Sequence, residues 1–342
     1  MKHVDWIDTA KGIGILLVVV GHAPINTKIT RIIFAFHMPF FFFISGYLFN
    51  YQKYKGHIKQ FTFNKTKRLI IPYFFTNLFI LSTLVLISCI RTTSINFELF
   101  SIENFIGIIY GNGAPLFPAT TYTNWICVPS WFLVCLFCSN ILLYFILTVY
   151  ENKSTFLSYS LILFFILTGW KISEYIFLPW GIDIAFVSMI FVCSGYFVRT
   201  NNIIDIREDN FNAYIFAFIC ILFIIIVSGS GRVDMNLRKY PNFFLFIMGG
   251  LLGTYITVEL AKMINKNKTI ISNFFNYLGK YSIIILLYHL FATKTFLVFM
   301  ESFISFPDII YNGYLYATIM LIISILTVIL INKISIFKKV YG

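Results

Sequence analysis

Ten apolar stretches, each long enough to cross a lipid bilayer, follow one another along this chain of 342 residues. A membrane-spanning helix needs about 20 mainly apolar residues, and backbone that crosses lipid without water must bond internally. The stretches lie near residues 7–23, 31–50, 69–90, 129–149, 155–171, 180–198, 211–229, 241–260, 277–299 and 310–332. The sequence therefore predicts an all-α polytopic membrane protein with about ten transmembrane helices, forming a single integral membrane domain over residues 1–342.

The composition supports lipid as the solvent of this chain. Only 12% of the residues are charged and 59% are hydrophobic, whereas an ordinary soluble domain has about 25% charged residues. Cys135 and Cys138 have CxxC spacing, but they lie in an apolar stretch without a second pair. We interpret them as small core residues and not as a redox or zinc site, and we expect no bound metal.

Lys and Arg residues are divided unequally between the two sides of the predicted membrane. With the N-terminus in the cytoplasm, seventeen of the 26 lie in cytoplasmic segments, seven in outer segments and two within the ninth helix. Positive residues are enriched in cytoplasmic loops, so both termini are predicted to be cytoplasmic. The net charge of +12 then reflects membrane topology. A second use of these positive residues would be to bind an anionic ligand at the cytoplasmic face. No nucleic-acid partner is expected.

Two predicted loops stand out. Residues 51–68 form the most basic segment, which is predicted to be cytoplasmic. Residues 91–128 form a long outer loop, and loops of this length are usually functional or disordered. Its turn-forming and aromatic residues favour packing over the membrane surface; they are Gly111, Asn112, Gly113, Pro115, Pro118, Tyr122 and Trp125.

The first apolar stretch carries Lys11 and His22, with ten residues between them. Eleven residues make almost three helical turns, so the two side chains share a face and lie roughly 16 Å apart along the axis. Gly12 and Gly14 would allow another helix or a ligand to approach closely. Polar residues inside a bilayer are candidates for function. The structural alternatives are an interfacial anchor for Lys11, helped by Asp8, and a headgroup-level position for His22.

The second stretch places His37 in the same outer half of the membrane as His22, two residues before Pro39. A proline inside a helix frees a backbone carbonyl and favours a kink. Two histidines at similar depth on adjacent helices would form one polar site. A metal would normally need a third ligand, and no carboxylate lies near these histidines in sequence.

Three further positions combine polar chemistry with predicted helix ends. Lys65 and Arg68 stand at the cytoplasmic start of the third helix, where they would act as a topology anchor or a phosphate clamp. Ser130 and Trp131 open the fourth helix on the outer side, where an interfacial tryptophan is the structural alternative. In the ninth helix, Ser282 and His289 are seven residues apart and share a face, as a polar core pair or as a channel lining; Tyr288 precedes His289.

These residues together resemble the membrane-bound acyltransferase-3 family. The resemblance is carried by Lys11 with His22, by Phe36-His37-Met38-Pro39 through Ser45-Gly46, by Lys65 with Arg68, and by Pro129-Ser130-Trp131-Phe132. It extends over the ten-helix plan. The family often has Arg where this chain has Lys11 and Lys65, and lysine keeps the charge but loses the bidentate fork of arginine.

The resemblance implies transfer of an acyl group, usually acetyl, from a cytoplasmic coenzyme A thioester to a hydroxyl of a surface polysaccharide or lipid-linked sugar, such as O-antigen or capsule. The bias of the sequence towards Ile, Lys, Asn and Phe is compatible with a low-GC bacterial origin, so we expect the inner (plasma) membrane of a bacterium. Lys11, Lys65 and Arg68 would hold the phosphates of acetyl-CoA. His22 would act as general base or carry the acyl group as a nucleophile. His37 is the second catalytic candidate, and Trp131, Ser130, Tyr288 and His289 would contact the acceptor or the oxyanion.

Two other functions share the same helical plan. A glycan transporter would also have intramembrane polar residues, although this chain lacks the paired broken helices in repeated halves that transporters often show. A non-catalytic membrane protein of polysaccharide assembly would tolerate loss of both Lys11 and His22. Dependence of thioester consumption on His22 separates the three functions.

Overall fold

The computed structural model describes residues 5–92, 102–113, 127–152, 155–206, 212–266, 268–301 and 312–341. The described part is built from α-helices and their connections. The helices are α1 Asp5–Gly21, α2 Thr27–Tyr47, α3 Tyr51–Tyr54, α4 Ile58–Lys65, α5 Ile71–Thr92, α6 Ile102–Tyr110, α7 Trp131–Asn152, α8 Thr155–Ser173, α9 Ile182–Thr200, α10 Ile203–Ile206, α11 Ala213–Ser230, α12 Phe243–Lys266, α13 Ile270–Lys280, α14 Ser282–Glu301, α15 Gly313–Lys333 and α16 Ser335–Tyr341.

The predicted all-α membrane fold is confirmed. Within the described ranges, nine helices are long and apolar enough to cross a membrane, and each of the ten predicted stretches overlaps one or more helices. The first predicted stretch corresponds to α1, which is not among these nine helices because it has only 17 residues. Asparagine or threonine caps begin several helices; the Asn26 side chain, for example, accepts a hydrogen bond from the Lys28 backbone N at 2.8 Å, satisfying an otherwise free donor. The orientation of the termini stays a prediction.

The ninth predicted stretch, 277–299, is divided in the structure. α13 ends at Lys280 and α14 begins at Ser282, because Tyr281 leaves helical geometry with φ −104° and ψ 17°. Lys280, which the sequence places within the ninth membrane helix, is instead the exposed last residue of a separate amphipathic helix. Polar residues such as Ser272, Asn273 and Asn276 explain why α13 does not continue the apolar span.

The two segments predicted as loops contain helices. In residues 51–68, α3 and α4 form because Phe61 is fully buried and stacks on Tyr144, with ring centroids 5.1 Å apart. In residues 91–128, α6 forms and places Asn104 and Ile108 inside. The aromatic and turn residues Pro115, Pro118, Tyr122 and Trp125 lie outside the described residues, so the predicted packing of that segment stays a prediction.

The contacts group the chain into two compact units. The first comprises residues 1–49, 190–235 and 239–330, and the second comprises 50–189, 236–238 and 331–342. In the first unit, α1 packs against α2, α12, α13 and α14, and α12 also packs against α2 and α11. In the second, α7 packs against α5, α8 and the turn that follows α4. The single-domain organisation stays a prediction.

Glycines let α1 and α13 touch through their backbones. A Cβ at Gly12 would overlap the backbone carbonyl of Phe275, and one at Gly279 would overlap the carbonyl of Asp8. Gly14 instead receives the ring of the fully buried Phe40, whose Cε1 lies 2.6 Å from the position that a Cβ on Gly14 would occupy. The prediction that Gly12 and Gly14 permit close approach is thus confirmed, by a helix backbone at Gly12 and by an aromatic ring at Gly14.

Gly279→Ala is expected to lower the thermal stability of the detergent-solubilised protein. Backbone atoms cannot yield as a flexible side chain can, so overpacking here should cost about 1–3 kcal/mol. Gly107→Ala is the matched control, because a Cβ at Gly107 meets nothing within 4 Å and alanine favours a helix. Equal midpoints for the two variants in thermal unfolding would contradict the assigned contact.

Candidate active site

His22 follows the last turn of α1, and its ring has one nitrogen engaged and one left free to react. Its Nδ1 lies 2.8 Å from the backbone carbonyl oxygen of Val18. Because a carbonyl oxygen only accepts, Nδ1 must carry the proton and donate it. The neutral ring therefore presents its lone pair at Nε2. An imidazole whose Nδ1–H is fixed in this way has the tautomer and orientation of a general base.

Three histidines of the first unit share this arrangement. His37 Nδ1 donates to the Ile33 carbonyl oxygen at 2.8 Å, and His289 Nδ1 donates to the Leu286 carbonyl oxygen at 2.8 Å. Each is a ring–backbone bond within a helix, so the helix itself sets the tautomer. In all three rings Nε2 therefore carries the lone pair and can accept a hydrogen bond.

His22 and His289 lie against each other. Their ring centroids are 5.1 Å apart and the rings meet edge to face at 72°. Among the described residues, the buried Nε2 of His289 has no hydrogen-bond partner. A buried acceptor without a partner is costly, and it commonly marks a place where a ligand or water binds. His22 is partly exposed, while His289 is fully buried.

Phe34 connects His22 with His37. Its ring centroid is 5.8 Å from that of His22 and 4.9 Å from that of His37. The guanidinium of Arg232 lies over the same Phe34 ring, 5.4 Å from its centroid. The two histidines thus contact one shared aromatic side chain, Phe34, which also carries the Arg232 guanidinium on its ring.

Lys11 lies near the other end of α1 and pairs with Asp8. Its Nζ is 2.5 Å from Asp8 Oδ1, and both side chains are partly exposed. This is the i, i+3 pairing that the sequence predicts.

Tyr288, next to His289 on α14, is buried.

Lys65 and Arg68 lie in the second unit, where the helix changes its winding. Residues Thr66–Ile70 form a π-helical turn between α4 and α5, a feature often found at functional sites. Lys65 Nζ donates to Asn140 Oδ1 at 2.7 Å, whereas Arg68 is exposed. Lys65 thus ends α4 just before this turn, and Arg68 lies within the turn.

Ser130 and Trp131 also belong to the second unit. Ser130 is buried and bonds the Asn77 side chain on both sides, donating to Oδ1 at 3.1 Å and accepting from Nδ2 at 3.0 Å. Trp131 is buried at the start of α7, where its Cδ1 lies 2.6 Å from the position that a Cβ on Gly113 would occupy. Ser130 therefore contributes to the fold by bonding Asn77, whether or not it also contacts the sugar acceptor.

Arg238 forms a buried ion pair that sequence reasoning missed. Its Nε and Nη2 donate to the two carboxylate oxygens of Asp183 at 2.7 and 3.1 Å, and its Nη1 donates to Asn112 Oδ1 at 2.6 Å. The Asp183 and Arg238 side chains are 0% and 1% exposed. The sequence presents Arg238 only as a charge of an outer loop, and no local pattern links it to residues 55 and 126 positions away.

The described residues contain no group of three or more His, Cys, Asp or Glu side chains arranged to hold a metal ion. The three histidines direct Nδ1 to their own helices and do not converge on one point. All six cysteines lie in the described part of the chain, and each is a free thiol.

A comparison with protein families decides the class of this protein. The model of the family described as an acyltransferase domain matches residues 4–333, which is nearly the whole chain. The chain belongs to the acyltransferase-3 family. Searches of the curated proteins and of the solved structures found no match. The nine membrane-length helices of the described part and the family together make it a multi-pass membrane acyltransferase.

Proposed function

We propose that this acyltransferase is an O-acetyltransferase of a bacterial plasma membrane, with both termini cytoplasmic. It takes acetyl from cytoplasmic acetyl-CoA and transfers it to a hydroxyl of a surface polysaccharide or lipid-linked sugar, such as O-antigen or capsule. The observation that carries the proposal is the contact between two imidazole rings. The His22 ring, whose Nδ1 is engaged by the Val18 carbonyl oxygen, lies 5.1 Å between centroids from the His289 ring, whose buried Nε2 has no hydrogen-bond partner among the described residues.

In the proposed reaction, the sugar hydroxyl attacks the carbonyl carbon of the thioester while Nε2 of His22 takes the hydroxyl proton. The tetrahedral intermediate collapses by breaking the carbon–sulfur bond. The imidazolium then returns its proton to the departing sulfur, so the products are an O-acetyl ester and free CoA. The alternative, in which His22 carries the acetyl group as an acyl-imidazole, uses the same lone pair.

Neighbouring groups have supporting roles in this proposal. His289, with a buried acceptor nitrogen, would orient the acceptor by receiving a hydrogen bond from a second sugar hydroxyl. His37 would help to hold the neighbouring rings of Phe34 and His22 in place. Trp131, Ser130 and Tyr288 remain candidates for contact with the acceptor. Lys11, Lys65 and Arg68 would bind the phosphates of the donor.

The first test is thioester consumption. Membranes with and without this chain are given acetyl-CoA and a glycan extract, and free CoA thiol is measured over time. The proposal requires chain-dependent CoA release that increases with the glycan. Unchanged thioester, together with impaired glycan export in cells that lack the chain, would instead favour a transporter.

Lys11→Met is expected to raise the KM for acetyl-CoA about tenfold while kcat stays nearly constant. One hydrogen bond to a charged group contributes about 1.5–3 kcal/mol, and about 1.4 kcal/mol corresponds to a factor of ten. Lys11→Arg keeps the charge and should stay near the wild-type KM. An unchanged KM in Lys11→Met, measured by donor titration, would remove Lys11 from the donor site.

A further inference from the structure

A cleft of about 390 Å³ opens on the first unit, beside the end of α1 that carries Asp8. Asn265 of α12, Lys268 of the α12–α13 connection and residues of α13 form its other walls. It is distinct from the site formed by His22, His37 and His289. Asp8 and His22 are fourteen residues apart along the chain, or about 21 Å at 1.5 Å per residue.

Three asparagines give the cleft amide groups. They are Asn265, Asn273 and Asn276. The Thr9 hydroxyl lies 2.6 Å from Asn276 Oδ1 and 3.3 Å from Asn265 Oδ1. Since both oxygens are directed to Thr9, the Nδ2 groups of these two amides are left to donate to a further acceptor.

The charges of the cleft favour an anion. Lys268 and Lys280 line it and are exposed. Asp8, the acidic residue of the lining, is paired with Lys11. Ser272 and Asn273 belong to the first turn of α13, where the helix dipole also favours negative charge. The lining therefore offers mainly donors and positive charge, which is the chemistry that binds phosphate.

An aromatic side chain completes the lining. Tyr277 lies in the cleft, and its ring centroid is 5.0 Å from that of Tyr281. An aromatic ring next to hydrogen-bond donors suits a planar, polar base such as a purine. A ligand that combines phosphate with a purine fits this lining better than phosphate alone.

We propose that this cleft binds the phosphorylated adenosine end of coenzyme A. The inference rests on the proposed donor, and it assigns the nucleotide to residues of α12, of α13 and of their connection that no sequence motif indicates. The helix-length separation from His22 matches a donor that carries its thioester on a long flexible arm, as pantetheine does. Lys268, Lys280 and the cleft amides would hold phosphates of the adenosine end, in addition to the donor contacts proposed for Lys11, Lys65 and Arg68, and Tyr277 would lie against the adenine.

The test uses the purified full chain and adenosine 3′,5′-bisphosphate as the probe, with binding measured by calorimetry. The double variant Lys268→Gln with Lys280→Gln is expected to weaken binding about tenfold. Its KM for acetyl-CoA should rise by a similar factor, while kcat and the KM for S-acetylpantetheine, which lacks the nucleotide, stay unchanged. Asn273→Asp, an exposed site, should also weaken binding by adding a negative charge.

The matched control is Lys338→Gln with Lys339→Gln, which removes two exposed lysines from α16 and should leave probe affinity unchanged. Equal affinity in the cleft variants and the wild type would overturn the inference. So would an equal rise in KM for S-acetylpantetheine, or binding of phosphatidylglycerol vesicles but not of the probe, which would indicate a lipid headgroup site. If the probe binds as expected but no acetyl is transferred, the proposed function fails and the nucleotide site stands.

Discussion

Arg238→Ala is expected to destabilise the protein by about 3–5 kcal/mol, because it leaves the Asp183 carboxylate buried without its partner. Arg238 makes two bonds to Asp183 and one to Asn112, and its guanidinium lies 4.4 Å from the Phe177 ring centroid. It also has a left-handed backbone, with φ 55°, so the ion pair stabilises a conformation that is unfavourable for a residue with a side chain. Thermal unfolding in detergent measures the loss.

Lys239→Ala is the control for this change, because it removes the same charge from an exposed neighbouring residue and should shift the midpoint little. Replacing both partners, with Arg238→Met and Asp183→Leu, should recover much of the stability, since no charge is then left buried. Matching midpoints for Arg238→Ala and Lys239→Ala would show that the ion pair contributes little.

His22→Asn is expected to lower kcat for acetyl transfer by roughly 10²–10⁴-fold, the usual contribution of a general base. An asparagine keeps an amide donor near the position of Nδ1, so the bond to the Val18 carbonyl oxygen can survive. It has no Nε2 and cannot accept the hydroxyl proton. Protein abundance and thermal midpoint should therefore remain close to those of the wild type while activity is lost.

His57→Asn is the matched control, because His57 is exposed and lies outside the histidine group. Its kcat should equal that of the wild type. His22→Gln places an amide near the Nε2 position and should be as inactive as His22→Asn, since an amide accepts a hydrogen bond but not a proton. Activity of His22→Asn within a few-fold of the wild type would exclude His22 from the chemistry.

The helical fold could be predicted because its physical cause is local. Lipid requires continuous apolar helices, so the ten stretches and their approximate ends are visible in the sequence. Helical periodicity alone predicts that Lys11 pairs with Asp8 and that Lys11 and His22 share one face of the helix. His22 and His37 are recognisable for a similar reason, because each is a polar residue in an apolar stretch.

The remaining features depend on tertiary packing. His289 joins His22 from α14, far along the chain, and the sequence suggests only Ser282 as its companion. Arg238 and Asp183 meet across 55 residues, where no periodicity relates them. The division between α13 and α14 occurs at one residue, Tyr281, and the close contact of α13 with α1 occurs at Gly12 and Gly279. The sequence indicates α13 only through the alternation of polar and apolar residues over 270–280, which is typical of an amphipathic helix.

The measurement that tests the central claim most directly follows the acetyl group itself. Membranes that contain wild type or His22→Asn at equal abundance receive acetyl-CoA labelled in the acetyl carbons, and label is counted in the extracted glycolipid and polysaccharide. We expect alkali-labile label in the glycan fraction with wild type, matched by an equal amount of released CoA, and background label with His22→Asn. Equal labelling by the two proteins, or release of CoA without any labelled glycan, would contradict the proposed transfer.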